Sequence, residues 1–148
     1  MNLSKIRALT RWLMHRVPPP EGRAGHWSEV SLLLTDDEGM IPLNEAYFDK
    51  STPTDVISLH YAPMPGEDGW SGEVVVNVER AMQEGQRRGS VTHELALYIA
   101  HGCQHLGGAS DHTPLLRARM RRKELGWLTE AQARGHLANL LREESIPV

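Results

Sequence analysis

One cysteine, Cys103, stands in 148 residues. That count excludes an internal disulfide and fits a reducing, cytoplasmic setting. No uninterrupted apolar run approaches the roughly 20 residues that span a bilayer as a helix. The N-terminal stretch MNLSKIRALTRWLMHRV spaces its apolar residues by three and four, with Lys5, Arg7 and Arg11 between them. It reads as an amphipathic helix rather than a signal peptide. An excess of positive charge is missing too. Sixteen Lys and Arg against 19 Asp and Glu leave a formal net charge of -3, unlike the basic balance of a general nucleic-acid coat. Repeats, low-complexity tracts and domain-dividing linkers are absent, so residues 1–148 read as one domain with one core. With 40% apolar and 24% charged residues, the composition is that of an ordinary soluble globular protein.

The charge is unevenly spread. Arg87 and Arg88 precede a histidine-rich stretch, and Arg117, Arg119, Arg121, Arg122 and Lys123 follow it. Along the chain, VPPPEGRAG (17–25) reads as a stiff loop ending the first helix, because proline cannot continue one. SEVSLLLTD (28–36) reads as a strand and DDEGMIPLNEAYF (36–48) as a turn and short helix. PTDVISLHY (53–61) turns extended. GWSGEVVVNVE (69–79) is the clearest strand, with Val74, Val76 and Val78 facing one way and Val75 the other. Helices follow over 79–89, 91–107, 113–128 and 129–144. Thr92 is the expected cap of the second of these, Gly107 and Gly108 its stop, and Thr113 with Pro114 the start of the third. The order describes an α/β or α+β protein with a small sheet and helices packed on it.

The chemistry concentrates in HGCQHLGGASDH, residues 101–112. His101 and His105 stand four apart, so a helix presents both imidazoles on one face about one turn apart, the zincin-like spacing for one metal ion. The glycine pair lets the chain turn back, and a third ligand can follow. Three protein ligands with an open position define a catalytic zinc site. Any one of these histidines alone would read as a surface or core residue; the constellation reads as a metal site. Two look-alikes are set aside. HELAL at His93 has Leu97 where a second histidine would stand. Gly102 occupies the place of the glutamate base of metalloproteases, which argues against peptide hydrolysis by that route. Cys103 faces away from the histidine pair and reads as a packed small residue.

The pattern His-Gly-x-x-His-Leu-x-Gly, followed by an acidic residue and a histidine, resembles the YbeY family of metal-dependent endoribonucleases. LNEAYFDKSTPTDVISL (43–59) is similar to that family's Leu-Asn and Pro-Thr-Asp-Val segment, and SGEVVVNVERA (71–81) to one of its strands. Met120 and Glu124 match a Met and Glu pairing after the metal motif. The likeness covers about residues 30–128. It implies a small mixed four-stranded sheet packed with helices and a zincin-like ligand helix. It further implies a metal-dependent endoribonuclease that cuts single-stranded RNA in ribosomal RNA maturation and ribosome quality control. One zinc ion would be the cofactor. Ribosomal RNA and the small ribosomal subunit or its assembly factors would be the partners, with no membrane involved. The metal would act as Lewis acid on a phosphodiester oxygen or supply a hydroxide nucleophile.

Two departures sharpen the expectations. The family commonly carries an arginine directly after the Tyr/Phe of the Leu-Asn segment, and here that place is Phe48. No catalytic arginine carries over; Arg117, Arg119 and Arg121 are the candidate substrate-binding cations, and Lys50 is near. The family also has five residues between its second and third ligands. From His105 that count reaches Asp111, with His112 one residue late. The expected ligand set is therefore His101, His105 and Asp111, with His112 as the alternative third ligand, and His101 as the candidate catalytic residue. Thr54, Asp55 and Ser58 are expected to shape the cleft edge. Two other readings stand beside the nuclease: a ribosome-associated metal-binding factor with little turnover, and a metal hydrolase on another substrate such as a peptide.

Overall fold

The computed structural model describes residues 1–20 and 25–142. Helix α1 spans Leu3–Met14, and the Asn2 side chain caps it by accepting from the Lys5 amide at 3.2 Å. Its apolar spacing puts Ile6, Leu9 and Leu13 on one buried face. Strand β1 covers Trp27–Thr35. Helix α2, Asp37–Phe48, starts at Asp36, whose carboxylate accepts from Gly39 N at 2.8 Å. Strands β2, Val56–Tyr61, and β3, Trp70–Asn77, lead into α3, Val78–Arg88. Helices α4, Val91–Leu106, and α5, Pro114–Ala133, complete the described elements.

The sheet has the order β1-β3-β2, with β1 parallel and β2 antiparallel to the central β3. It is mixed as expected, but among the described residues it has three strands rather than four. The chain offers only three extended segments, at 28–36, 53–61 and 69–79, and these form β1, β2 and β3; the fourth strand came from the family resemblance alone. Val74 and Val76 point into the main core with Leu95, Ile99, Cys103 and Leu106 of α4. Val75 points the other way, to Met40 and Ile57 under α2. Val78 opens α3 instead of ending the strand.

Helix α4 is the centre of the molecule. Of its 16 residues, only Val91, Thr92, His93, His101 and His105 escape full burial. Its close seat on the sheet explains Gly102. A Cβ there would lie 2.6 Å from Val74 Cγ1 and 2.8 Å from Val56 Cγ1, so no side chain fits. Ser58 Oγ locks the contact by donating to the Gly102 carbonyl at 2.8 Å.

Several helix ends differ from expectation. Ser90, not Thr92, caps α4, accepting from His93 N at 3.1 Å. At its other end only Gly108 takes a positive φ, +92°; Gly107 has φ -76° and is small because Val17 and Pro18 crowd it. Thr113 and Pro114 open α5 as the sequence indicates. That helix then runs through Thr129, whose hydroxyl bonds the Leu125 carbonyl at 2.9 Å instead of capping a new helix. Turns follow to residue 142, so no separate helix forms over the described part of 129–144, and residues 143–144 lie outside the described residues. Residues 21–24 of the proline loop lie outside them as well. No described helix is long and apolar enough to cross a membrane.

Candidate metal centre

The two half-buried histidines of α4 turn their rings toward one point. His101 Nε2 and His105 Nε2 are 3.0 Å apart. After α4, the Gly108 turn brings the chain back, and Asp111 Oδ2 comes to 3.5 Å from His105 Nε2 and 3.9 Å from His101 Nε2. His101, His105 and Asp111 thus offer three ligand atoms to one position. His112 lies outside this group, exposed, its backbone amide donating to Ser110 Oγ at 3.3 Å.

The outer faces of both rings are already committed. Buried Glu124 of α5, 3% exposed, takes the hydrogen bond of His101 Nδ1. The Ala109 carbonyl takes that of His105 Nδ1 at 2.9 Å. An acceptor at each Nδ1 keeps the proton there, so each neutral ring points its Nε2 lone pair inward. Two lone pairs facing each other at 3.0 Å, with a carboxylate beside them, repel unless a cation lies between them.

This donor set fits a divalent metal ion. A tetrahedral zinc ion about 2.0–2.2 Å from each donor places the donors about 3.4 Å apart, and the three separations here are 3.0, 3.5 and 3.9 Å. Without metal, the same geometry pushes the two histidines in opposite directions. Burial pushes the His101 pKa down, but the hydrogen bond and charge of Glu124, helped by Asp111, outweigh it and the net shift is upward. His105 is pushed down, by burial first and then by the charge on His101. Of the two rings, His101 is therefore the one that takes up an Nε2 proton more readily, with His105 Nε2 as its acceptor.

The remaining sequence candidates separate clearly. A cleft of about 570 Å³ opens beside His101 and Asp111, and Arg117 and Arg121 of α5 line it. They stand four apart on one helix face; Arg119, between them, is exposed and outside the lining. Arg117 also donates to the Asp111 carbonyl at 3.1 Å and so braces the ligand loop. Phe48, at the end of α2, is 48% exposed, and neither it nor Lys50 lines the cleft. Asp55 lines it and pairs with Arg80 at 3.4 Å, while Thr54 accepts through its carbonyl from buried Asn77. Cys103 is fully buried, its thiol pushed up to about 12 by burial. Sequence reasoning missed the partnership of Glu124 with His101, for which a family pairing was the only signal. It missed Arg80 of α3 as well; Arg87 and Arg88, noted in the sequence only as charge preceding the histidine stretch, line the cleft beside it.

A mixed sheet carrying a helix with two converging histidines, completed by a loop carboxylate, defines an α+β protein with a candidate three-ligand metal centre. The family model described as "Endoribonuclease YbeY" matches residues 1–132, and this chain belongs to that family. A protein named Endoribonuclease YbeY from Anaeromyxobacter sp. (strain Fw109-5) is 37% identical over 123 residues, covering 82% of this chain and 62% of the relative. One of the same name from Rhodopirellula baltica is 35% identical over 99 residues, 65% of this chain and 50% of the relative. Another from Salinibacter ruber is 33% identical over 121 residues, 77% of this chain and 76% of the relative. The chain thus spans one half to three quarters of the length of these three curated relatives.

Proposed function

We propose that this chain is a metal-dependent endoribonuclease acting on single-stranded RNA, and that it serves ribosomal RNA maturation and ribosome quality control with the small ribosomal subunit or its assembly factors as partner. The observation that carries the reading is the convergence of His101 Nε2, His105 Nε2 and an Asp111 oxygen in a family of endoribonucleases. Zinc suits two imidazoles and a carboxylate, and three protein ligands leave one position open to substrate or water.

A metal held there supplies Lewis-acid stabilisation of the charge that develops on the phosphodiester oxygens. The protein's own groups do the rest. Glu124 holds the proton on His101 Nδ1 and aims Nε2 at the site, and the Ala109 carbonyl does the same for His105. Arg121 and Arg117 present guanidinium groups to the phosphate from the α5 side, taking the part for which Phe48 offers no charge. The Asp111 loop, braced by Arg117, closes the ligand set.

The test is direct. Purified protein should hold one metal ion per chain and cut single-stranded RNA in preference to duplex, and His101→Ala should lose both properties. Equal cleavage by wild type and variant sinks the reading. Exposed Phe48 in the place of the family arginine favours a second reading, a ribosome-associated metal-binding factor with little turnover. That reading expects co-sedimentation with ribosomal particles and normal function in cells when His105 is lost but the fold is kept. Against a peptide hydrolase stands Gly102, where a general-base glutamate would collide with Val74 and Val56.

A further inference from the structure

The cleft does not end at the metal centre. It continues along α4 toward the helix start, where Tyr98, Leu97 and Glu94 line it in turn. Glu94 lies seven residues before His101, about 10 Å along the axis at 1.5 Å per residue. Val56 of β2 joins Leu97 and Tyr98 to make an apolar floor there. Over this floor stand Arg87 and Arg88 of α3, both exposed.

The arginines at this end of the cleft are held by paired carboxylates. The lining holds five arginines and five carboxylates. Two of the carboxylates, Asp111 and Glu124, belong to the metal centre. Toward the helix start, Arg80, Arg87 and Arg88 stand with three carboxylates, Asp55, Glu84 and Glu94, while Arg117 and Arg121 lie on the metal-centre side. Those carboxylates hold the arginines in place. Glu84 meets Arg87 through Nε at 3.2 Å and Nη2 at 2.5 Å, and meets Arg88 Nε at 3.5 Å. Glu94 is 3% exposed, its Oε1 is 3.6 Å from Arg88 Nη1, and its Oε2 has no hydrogen-bond partner among the described residues. A carboxylate this deeply buried is costly, and Arg88 is the cation set against it. Arg87 Nη1 and Arg88 Nη2 make no ion pair among the described residues, so each guanidinium keeps an uncommitted edge on a fixed mount.

We propose that this end of the cleft is a subsite for the nucleotide next to the scissile phosphate, with its sugar or base on Val56, Leu97 and Tyr98 and its outer phosphate on Arg87 and Arg88. Glu94 acts here as a positioning residue that holds Arg88. The inference rests on the endoribonuclease reading above and adds the direction in which substrate extends from the metal. An apolar floor beneath a cationic rim matches the two faces of a single-stranded nucleotide, a flat base and an anionic backbone.

The experiment uses the full, metal-loaded chain and single-stranded RNA oligonucleotides lengthened one nucleotide at a time on either side of the cleaved bond. In the wild type, one particular extension should lower KM. In the Arg87→Ala, Arg88→Ala double variant that gain should vanish, while metal content and kcat on the shortest substrate stay at wild-type values. The salt slope of binding should fall by about 0.7 for each phosphate that is no longer neutralised. Glu94→Gln should lose part of the gain in KM with kcat unchanged, which a merely structural role would not produce. Arg7→Ala, in the separate groove between α1 and β1, is the control for bulk charge. If the double variant keeps the full gain, or Arg7→Ala loses as much, the subsite is overturned and the nuclease reading stands. If the wild type shows no metal-dependent cleavage of any single-stranded RNA, both fall.

Discussion

Glu124 on α5 holds Nδ1 of His101 on α4, across 23 residues of sequence. The carboxylate is almost fully buried, and the imidazole is its hydrogen-bonding partner at the edge of the cleft. The pair ties the packing of two helices to the aim of one candidate ligand. Replacing Glu124 by alanine frees the ring to rotate and removes the acceptor that makes Nε2 basic. Metal affinity should fall about 10- to 100-fold, read by competition with a chromogenic chelator. Glu124→Gln, whose amide oxygen still accepts, should fall between the two. Unchanged affinity in Glu124→Ala would remove this carboxylate from the site.

Asp111 and His112 make opposite predictions. The Asp111 carboxylate is within 4 Å of both Nε2 atoms, whereas His112 is outside the ligand group. Asp111→Ala should lose stoichiometric metal on gel filtration, and His112→Ala should retain it. The reverse result would make His112 the third ligand.

Metal binding should weaken as the solution is acidified, and from above the ordinary histidine value. Glu124 raises His101 despite its burial, while burial lowers His105. As pH falls, His101 Nε2 is therefore the first of the two to take up a proton that metal must displace. Log affinity should drop by about one unit per pH unit below the His101 value, and by about two once His105 also protonates below its depressed value. In metal-free protein, a nitrogen-detected NMR titration should show His101 titrating above about pH 6.5 and His105 below it. For stability the signs oppose each other. The His101 contribution is present in acid and is lost as pH rises through its raised folded value. The His105 contribution is present above about pH 6.5 and is lost as pH falls through its lowered one.

Two glycines on helices should respond oppositely to alanine. At Gly102 the added Cβ meets Val74 and Val56 at under 3 Å, an overpacking cost of about 1–3 kcal/mol that outweighs the gain in helix propensity. Gly126, inside α5, has nothing within 4 Å of its built Cβ. There the change should stabilise by about 0.5–1 kcal/mol through propensity alone. Thermal unfolding of both variants checks the contrast, and Gly102→Ala should also disturb metal binding because it displaces α4 on the sheet.

Much of this could be read along the chain. Alternation marks β3, three-and-four spacing marks α1 and α4, and Thr113-Pro114 marks the start of α5, because these signals depend only on neighbouring residues. Less legible were the cap at Ser90, since both Ser90 and Thr92 are competent, and the unbroken α5, since Thr129 can cap or bond backward. The fourth strand came from likeness and not from any alternating segment, and α1 stands where the chain's own periodicity puts a helix.

The same division holds at the site. Four-residue spacing on a helix determines by itself that His101 and His105 share a face, because helical geometry fixes that at short range. What lies across from them was decided by tertiary structure. The Gly108 turn carries the Asp111 carboxylate back over the histidines, and the packing of α5 on α4 delivers Glu124 to one ring and Arg117 and Arg121 to the cleft. The close seat of α4 on the sheet leaves room only for glycine at position 102. Those relationships depend on how whole elements rotate and dock, which local periodicity does not encode.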